Sequence, residues 1–189
     1  RAQSHGHVGP HLNALLQQAL RVGKRVHTET DVDKVSASLV GAGLLRAEDI
    51  LGDLSQLTVL VVGAGGMGAL AATTARRRGV GGLLVANRDA GRAHSLADRL
   101  GGRAIAWADR DQALVEADVV IASTGAPGTV LAADAVRRAV ELRASQGRGS
   151  GAQVLLDLAL VHDIDRDVHT VPGATLLGLA ELGALLSGG

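Results

Sequence analysis

The sequence contains no cysteine, a single tryptophan, and neither phenylalanine nor tyrosine. Without cysteine the chain can form no disulfide and offers no thiolate for a metal or for nucleophilic catalysis. Lysine plus arginine equals aspartate plus glutamate at 19 each, so there is no basic excess to hold a nucleic-acid backbone. No apolar run reaches membrane-spanning length, and the polar, histidine-rich start does not fit a signal peptide. We therefore expect a cytoplasmic protein that does not associate with membranes.

What is present is enough for a packed core. Of the 189 residues, 47% are hydrophobic and 20% are charged, which is typical of a globular protein with one domain and an appendage. Because aromatic residues are almost absent, alanine, leucine, valine and glycine must build that core. Since the chain does not begin with methionine, we expect it to be a piece of a longer protein.

The most informative stretch runs from Thr58 to Gly79. Thr58 to Val62 form an unbroken apolar and β-branched run, as in a strand buried on both faces. A G-x-G-x-x-G turn follows, and a helix is predicted from about residue 67 to 78. In this context Gly63 permits a tight turn, Gly65 permits close approach of a pyrophosphate, and Gly68 permits close packing of the helix on the strand. The residues predicted to bind the dinucleotide here are Gly63, Ala64, Gly65, Gly66, Met67 and Gly68. The alternative is a glycine-rich loop that binds no nucleotide.

Strands and helices alternate through the rest of the chain. Further strands are predicted at 83–86, 103–107, 118–123, 153–158 and 174–177, and further helices at 90–100, 111–116, 132–146 and 179–186. This alternation predicts an α/β fold of the Rossmann type, a doubly wound parallel sheet in the order 3-2-1-4-5-6. Residues 58–189 would form it. Residues 1–57 would form a helical arm with an amphipathic helix at 12–26, a second helix from residue 32 or 35 to 45, and a third at 47–51.

The end of the second strand bears on the choice of cofactor. NAD-binding domains place an acidic residue there for the ribose hydroxyl, whereas this chain has Asn87 and Arg88. A guanidinium pairs well with a 2′-phosphate, so NADP(H) is the predicted cofactor, with Arg92 one helical turn further on. Asp89 is interpreted as a helix cap. The alternative for Arg88 is a solvated surface arginine.

Polar residues also follow the fourth and fifth strands. Ser123, Thr124 and Gly125 lie beside the point where the strand order reverses, and are predicted to contact the nicotinamide ribose. A simple strand-to-helix loop is the alternative. Asp157, His162 and Asp163 could be acid–base groups, but loop capping is favoured. His5, His7 and His11 lack carboxylate or thiolate partners, so no metal site is predicted. No catalytic residue is assigned to this chain.

Together, several blocks resemble glutamyl-tRNA reductases. They are Gly23 to Thr30 (GKRVHTET), Gly63 to Gly68, Asn87–Arg88, Ser123 to Pro127, Leu155 to Ala159 and Asp163 to Asp165. The resemblance covers nearly the whole chain, and the first block is the specific one. Two places depart from the family pattern: Gly66 stands where glutamate is usual, and Val161–His162 stands where Pro-Arg is usual.

The resemblance implies an NADPH-dependent reduction of a glutamyl thioester to glutamate-1-semialdehyde, in tetrapyrrole (porphyrin) synthesis. In that family the thioester forms on a cysteine in a separate N-terminal domain, through which glutamyl-tRNA would also be engaged. This chain would then be the NADPH-binding domain with its connecting helices, inactive alone. Two alternatives are a non-catalytic NADP-binding or regulatory module and, less favoured, a shikimate-dehydrogenase-like oxidoreductase. The apolar stripe at 12–26 leaves a homodimer open.

Overall fold

A computed structural model describes residues 32–147 and 151–187. The chain divides into two units, residues 1–35 and 36–189, and nearly all described residues lie in the second. The arm helix at 12–26, the histidines before residue 28 and the GKRVHTET block therefore lie outside the described residues. No helix in the described ranges is both long enough and apolar enough to cross a bilayer.

A six-stranded parallel sheet organises the second unit. Its strands are β1 (Thr58–Val62), β2 (Gly82–Ala86), β3 (Arg103–Ile105), β4 (Val119–Ala122), β5 (Gln153–Asp157) and β6 (Ala174–Leu177). They pair in the order β3-β2-β1-β4-β5-β6, which confirms the predicted fold and strand order. The order reverses between β1 and β4, so the loops that follow these two strands leave the same edge side by side.

Helices cover both faces of the sheet. They are α1 (Val32–Leu51), α2 (Gly66–Arg77), α3 (Ala90–Leu100), α4 (Arg110–Glu116), α5 (Ala133–Ser145) and α6 (Leu179–Ser187). Successive residues of β1 enter opposite cores: Val59 and Val61 belong to one apolar cluster, Leu60 and Val62 to the other. This two-sided burial is the reason for the unbroken apolar runs in the sequence.

The second helix of the predicted arm is continuous with the third. The expected break between residues 45 and 47 is wrong, because α1 runs without interruption from Val32 to Leu51. Val40, Leu44 and Ala47 are fully buried at helical spacing, so one apolar stripe spans both predicted pieces. A Cβ at Gly43 would lie 2.6 Å from Leu156 Cδ1, so α1 packs directly on the sheet. The domain boundary at residue 57 stays a prediction.

The β3 region also differs from expectation. β3 ends at Ile105, and Trp107 opens a 3-10 turn (Trp107–Asp109) instead of ending the strand. The other predicted strands and helices of residues 58–189 agree with the structure to within one or two residues.

Candidate functional site

The glycine turn after β1 is fixed by steric contacts within the fold. Gly63 has φ 109°, and a Cβ there would lie 2.2 Å from the carbonyl oxygen of Ser123. A Cβ at Gly68 would lie 1.9 Å from the carbonyl oxygen of Gly63. Both distances are far below normal contact. These two glycines are therefore required by the crossing of β1, α2 and the loop after β4, whether or not a ligand binds.

Gly65 differs from these two glycines. Its φ is −77°, which any residue can adopt, and a Cβ there would meet no atom within 4 Å. Gly65 is the N-cap of α2, with no side-chain cap and no acidic residue in the first turn. The first N–H groups of a helix have no acceptor within the helix, and such groups are the ones that an anion binds. The fold does not need glycine here, but a ligand approaching the backbone would.

The turn after β2 is tied to the glycine turn through Asn87. Its Oδ1 accepts a hydrogen bond from the amide of Ala64 at 3.0 Å, and its Nδ2 donates to the carbonyl of Asp89 at 3.1 Å. Asp89 caps α3 by accepting from the amide of Arg92 at 3.1 Å, as predicted from the sequence. The other carboxylate oxygen of Asp89 lies 3.6 Å from Arg92 Nε. The Asn87 side chain thus joins the glycine turn to the turn after β2 through hydrogen bonds to backbone atoms.

Arg88 projects from the same turn over the ring of Trp107. Its guanidinium carbon lies 5.3 Å from the ring centroid, and that of Arg110 lies 4.8 Å from the same centroid. Arg110 also donates to the carbonyl of Trp107 at 2.9 Å. The sequence reasoning did not assign Trp107 to the site. Its place directly after β3, next to the end of β2 in the sheet order, was the available signal.

The loop after β4 is held by a buried carboxylate. Asp163 is fully buried, and its two oxygens accept from the amide and the hydroxyl of Thr124, each at 2.5 Å. Asp157 in turn accepts from the amide of Ile164 at 3.1 Å and lies 3.4 Å from His162 Nδ1. These contacts agree with the capping interpretation of Asp157 and Asp163. Gly125, in the left-handed region at φ 63°, faces open space.

Two clefts adjoin these loops. One, of about 300 Å³, lies between the turn after β2 and the loop after β4. It is lined by Asn87, Arg88, Asp89, Arg92, Trp107 and residues 124–127. The other, of about 600 Å³, runs from the glycine turn along α3 and includes Gly65, Gly66, Arg92 and Arg99. Among the described residues no group of three metal-ligating side chains occurs.

The structure thus brings together the residues predicted from three separate stretches. Residues 64–66, Arg88, Arg92 and Gly125 line the two clefts. Of the other predicted residues of the glycine turn, Gly63 and Gly68 pack against backbone atoms, and Met67 lines neither cleft. Thr124 lines the smaller cleft, and its hydroxyl and its amide both donate to Asp163. Ser123 offers its carbonyl to the packing against Gly63. Their roles toward a ligand stay predictions.

A family model described as shikimate / quinate 5-dehydrogenase matches residues 45–185. The chain belongs to this family. Curated relatives include glutamyl-tRNA reductase 1 of Nocardioides sp., 46% identical over 95% of this chain and 40% of the relative. The glutamyl-tRNA reductase of Kineococcus radiotolerans is 44% identical over 96% of this chain and 40% of the relative. The resemblance to glutamyl-tRNA reductases is thereby confirmed, and neither alternative function is favoured.

Solved structures agree with the similarity to glutamyl-tRNA reductases and with the fold. Glutamyl-tRNA reductase from Methanopyrus kandleri matches 97% of this chain and 45% of its own, with a TM-score of 0.72 and 33% identity. Shikimate 5-dehydrogenase from Thermus thermophilus, in complex with NADP(H) and shikimate, shares the fold at 21% identity and a TM-score of 0.53, over 78% of this chain and 52% of its own. The family match and the reductase structure support a nicotinamide-cofactor-binding domain of an oxidoreductase family. The chain spans 40% of the length of the two curated reductases named above and 45% of the Methanopyrus kandleri chain.

Proposed function

We propose that this chain is the NADPH-binding domain of a glutamyl-tRNA reductase. The observation that carries the proposal is the open space in front of Gly65, at the uncapped N-terminus of α2. Free amides and the positive end of a helix dipole favour an anionic group there. A pyrophosphate fits this place because no side chain fills it.

The charges at the adenosine end favour a 2′-phosphate over a free hydroxyl. Arg88 is exposed and forms no ion pair among the described residues, so its charge is available to a ligand. Asp89, the nearest carboxylate in the turn, is occupied by the α3 cap and by Arg92. A guanidinium facing a phosphate can form two parallel hydrogen bonds. We therefore propose NADPH over NADH.

The reaction follows from the resemblance to the reductases. Hydride from NADPH would reduce the glutamyl thioester carbonyl, the carbon–sulfur bond would break with the thiolate as leaving group, and glutamate-1-semialdehyde would form. The thiol must come from another part of the protein, since this sequence has no cysteine. The role of this chain is to bind and orient the cofactor. Asp163, through Thr124, would hold the loop on which the nicotinamide ribose lies.

The test is titration of the protein with NADPH and with NADH, followed by cofactor fluorescence. We expect Arg88→Ala to weaken NADPH binding by about 1.5–3 kcal/mol, the value of a hydrogen bond to a charged group, and to leave NADH within about twofold. Arg137→Ala is the matched control, because Arg137 is a partly exposed arginine on α5 that pairs with Asp134, away from the clefts. Failure of the folded protein to bind either cofactor would refute the proposal. If Arg88→Ala leaves the ratio of the NADPH and NADH dissociation constants unchanged, Arg88 does not contact the 2′-phosphate.

The reductase step needs a second experiment, in a longer protein that includes the cysteine domain. With glutamyl-tRNA and NADPH, such a protein should form the aldehyde, and this chain alone should not. If the longer protein with Gly65→Ala forms the aldehyde at the same rate, the reaction does not use the cofactor site of this domain.

A further inference from the structure

We propose that Trp107 is a positioning residue for cofactor selectivity, which acts by holding the guanidinium of Arg88 in place for a 2′-phosphate. The inference rests on the proposed function and deepens it. It assigns a task to the single tryptophan of the chain, whose indole lines the cleft between the turn after β2 and the loop after β4.

The first step is that the indole itself is fixed. Trp107 is partly buried and packs against the apolar cluster that contains Leu60 and Val62. Arg110 lies over the ring at 4.8 Å and is anchored through two carbonyl oxygens, that of Trp107 at 2.9 Å and that of Val130 at 3.4 Å. The ring therefore has an apolar support and an anchored cation that restrict its rotation.

The second step is that the fixed ring of Trp107 holds the guanidinium of Arg88. A guanidinium stacked on an aromatic ring is attracted by the ring quadrupole, and its N–H groups point outward in the guanidinium plane. They stay available for hydrogen bonds. Among the described residues, the Arg88 side chain forms no hydrogen bond or ion pair, and its guanidinium lies over the Trp107 ring. Trp107 thus reduces the conformational freedom of Arg88 without using its donors.

The third step is the contrast with Arg92, the other predicted phosphate ligand. Arg92 lies 3.6 Å from the carboxylate of Asp89, which partly cancels its charge. The indole is neutral, so Arg88 keeps its full charge while it is held. A preorganised, uncompensated guanidinium binds an anion better than a mobile one, since less side-chain entropy is lost on binding. Selectivity for the phosphorylated cofactor should therefore depend on Trp107 through Arg88.

The experiment measures dissociation constants for NADPH and NADH in wild type, Trp107→Leu, Trp107→Phe, Arg88→Ala and the double variant Trp107→Leu/Arg88→Ala. An exposed cation–π contact is worth about 0.5–1 kcal/mol, so Trp107→Leu should weaken NADPH binding about two- to fivefold and leave NADH binding within about 1.5-fold. Trp107→Phe should recover part of the loss. In the Arg88→Ala background, Trp107→Leu should have no further effect on NADPH.

The outcomes separate this inference from the proposed function. If wild type prefers NADPH and Trp107→Leu leaves that preference unchanged, the inference is wrong and the proposed function stands. Equal weakening of NADPH and NADH would also overturn it, because the indole would then contact the shared part of the cofactor or merely support the fold. Wild type that binds neither cofactor would overturn both. Should Trp107→Leu fail to fold, Arg88→Lys decides, since lysine keeps the charge but lacks the planar face; undiminished NADPH selectivity in that variant would refute the inference.

Discussion

The two glycines Gly65 and Gly68 offer a test that separates binding from folding. Alanine at Gly65 meets nothing within 4 Å and keeps an ordinary φ of −77°. Such a change stabilises a protein by about 0.4–1 kcal/mol through the unfolded chain, whereas alanine is a poorer N-cap than glycine by a similar amount. We therefore expect Gly65→Ala to change the free energy of unfolding by less than about 1 kcal/mol, because the two effects oppose each other.

Its effect on cofactor binding should be much larger. The new methyl group would occupy the space through which a pyrophosphate reaches the amides at the start of α2. A displacement of that group by an ångström or so should cost at least about tenfold in NADPH affinity, or ~1.4 kcal/mol. NADH should lose as much, since both cofactors carry the pyrophosphate. The ratio of the NADPH and NADH dissociation constants should therefore stay as in wild type, whereas Arg88→Ala should change it.

Gly68→Ala is the matched comparison. Its Cβ would lie 1.9 Å from the carbonyl oxygen of Gly63, so the backbone must move. Overpacking of this kind costs about 1–3 kcal/mol, or about 3–10 °C in melting temperature for a domain of this size. Thermal unfolding by far-ultraviolet circular dichroism gives the stability, and quenching of Trp107 fluorescence by NADPH gives the affinity. Wild-type affinity in Gly65→Ala would refute the assigned path of the pyrophosphate, and an equal loss of stability in both variants would refute the division of roles.

Two further predictions concern side chains that the fold buries. Asp163→Asn replaces one of the two oxygens that accept from Thr124 by a donor, so it should lower the free energy of unfolding by about 1–3 kcal/mol in denaturant melts. Titrations should show weaker binding of both cofactors, and unchanged stability would contradict the buried pairing. Arg143→Met removes the guanidinium that binds Asp118 at 2.5 Å, and should lower the free energy of unfolding by about 3–5 kcal/mol in denaturant melts. The ratio of the NADPH and NADH dissociation constants should stay constant. A loss of stability below about 1 kcal/mol would show that solvent already compensates the charge of Asp118.

The sequence alone was enough for the fold class and the strand order. Buried parallel strands read as short apolar runs because both of their faces are covered, and Val59 to Val62 alternate between the two cores accordingly. The glycine spacing after β1 and the absence of a carboxylate at Asn87–Arg88 were equally visible, since each is a local pattern between a strand and a helix. These local signals located the turn and suggested the cofactor.

What the sequence could not supply was which distant side chains meet. Asp163 lies 39 residues from Thr124, and Trp107 meets Arg88 because β3 pairs beside β2, with Ile105 opposite Ala86. The motif assigned Gly65 to approach of a pyrophosphate and Gly68 to helix packing, but only the structure shows how much space surrounds each of them. Both questions concern contacts across the sheet, and such contacts are set by strand register and by helices packing on strands. Tertiary structure alone decided them, because only there do separate stretches compete for the same space.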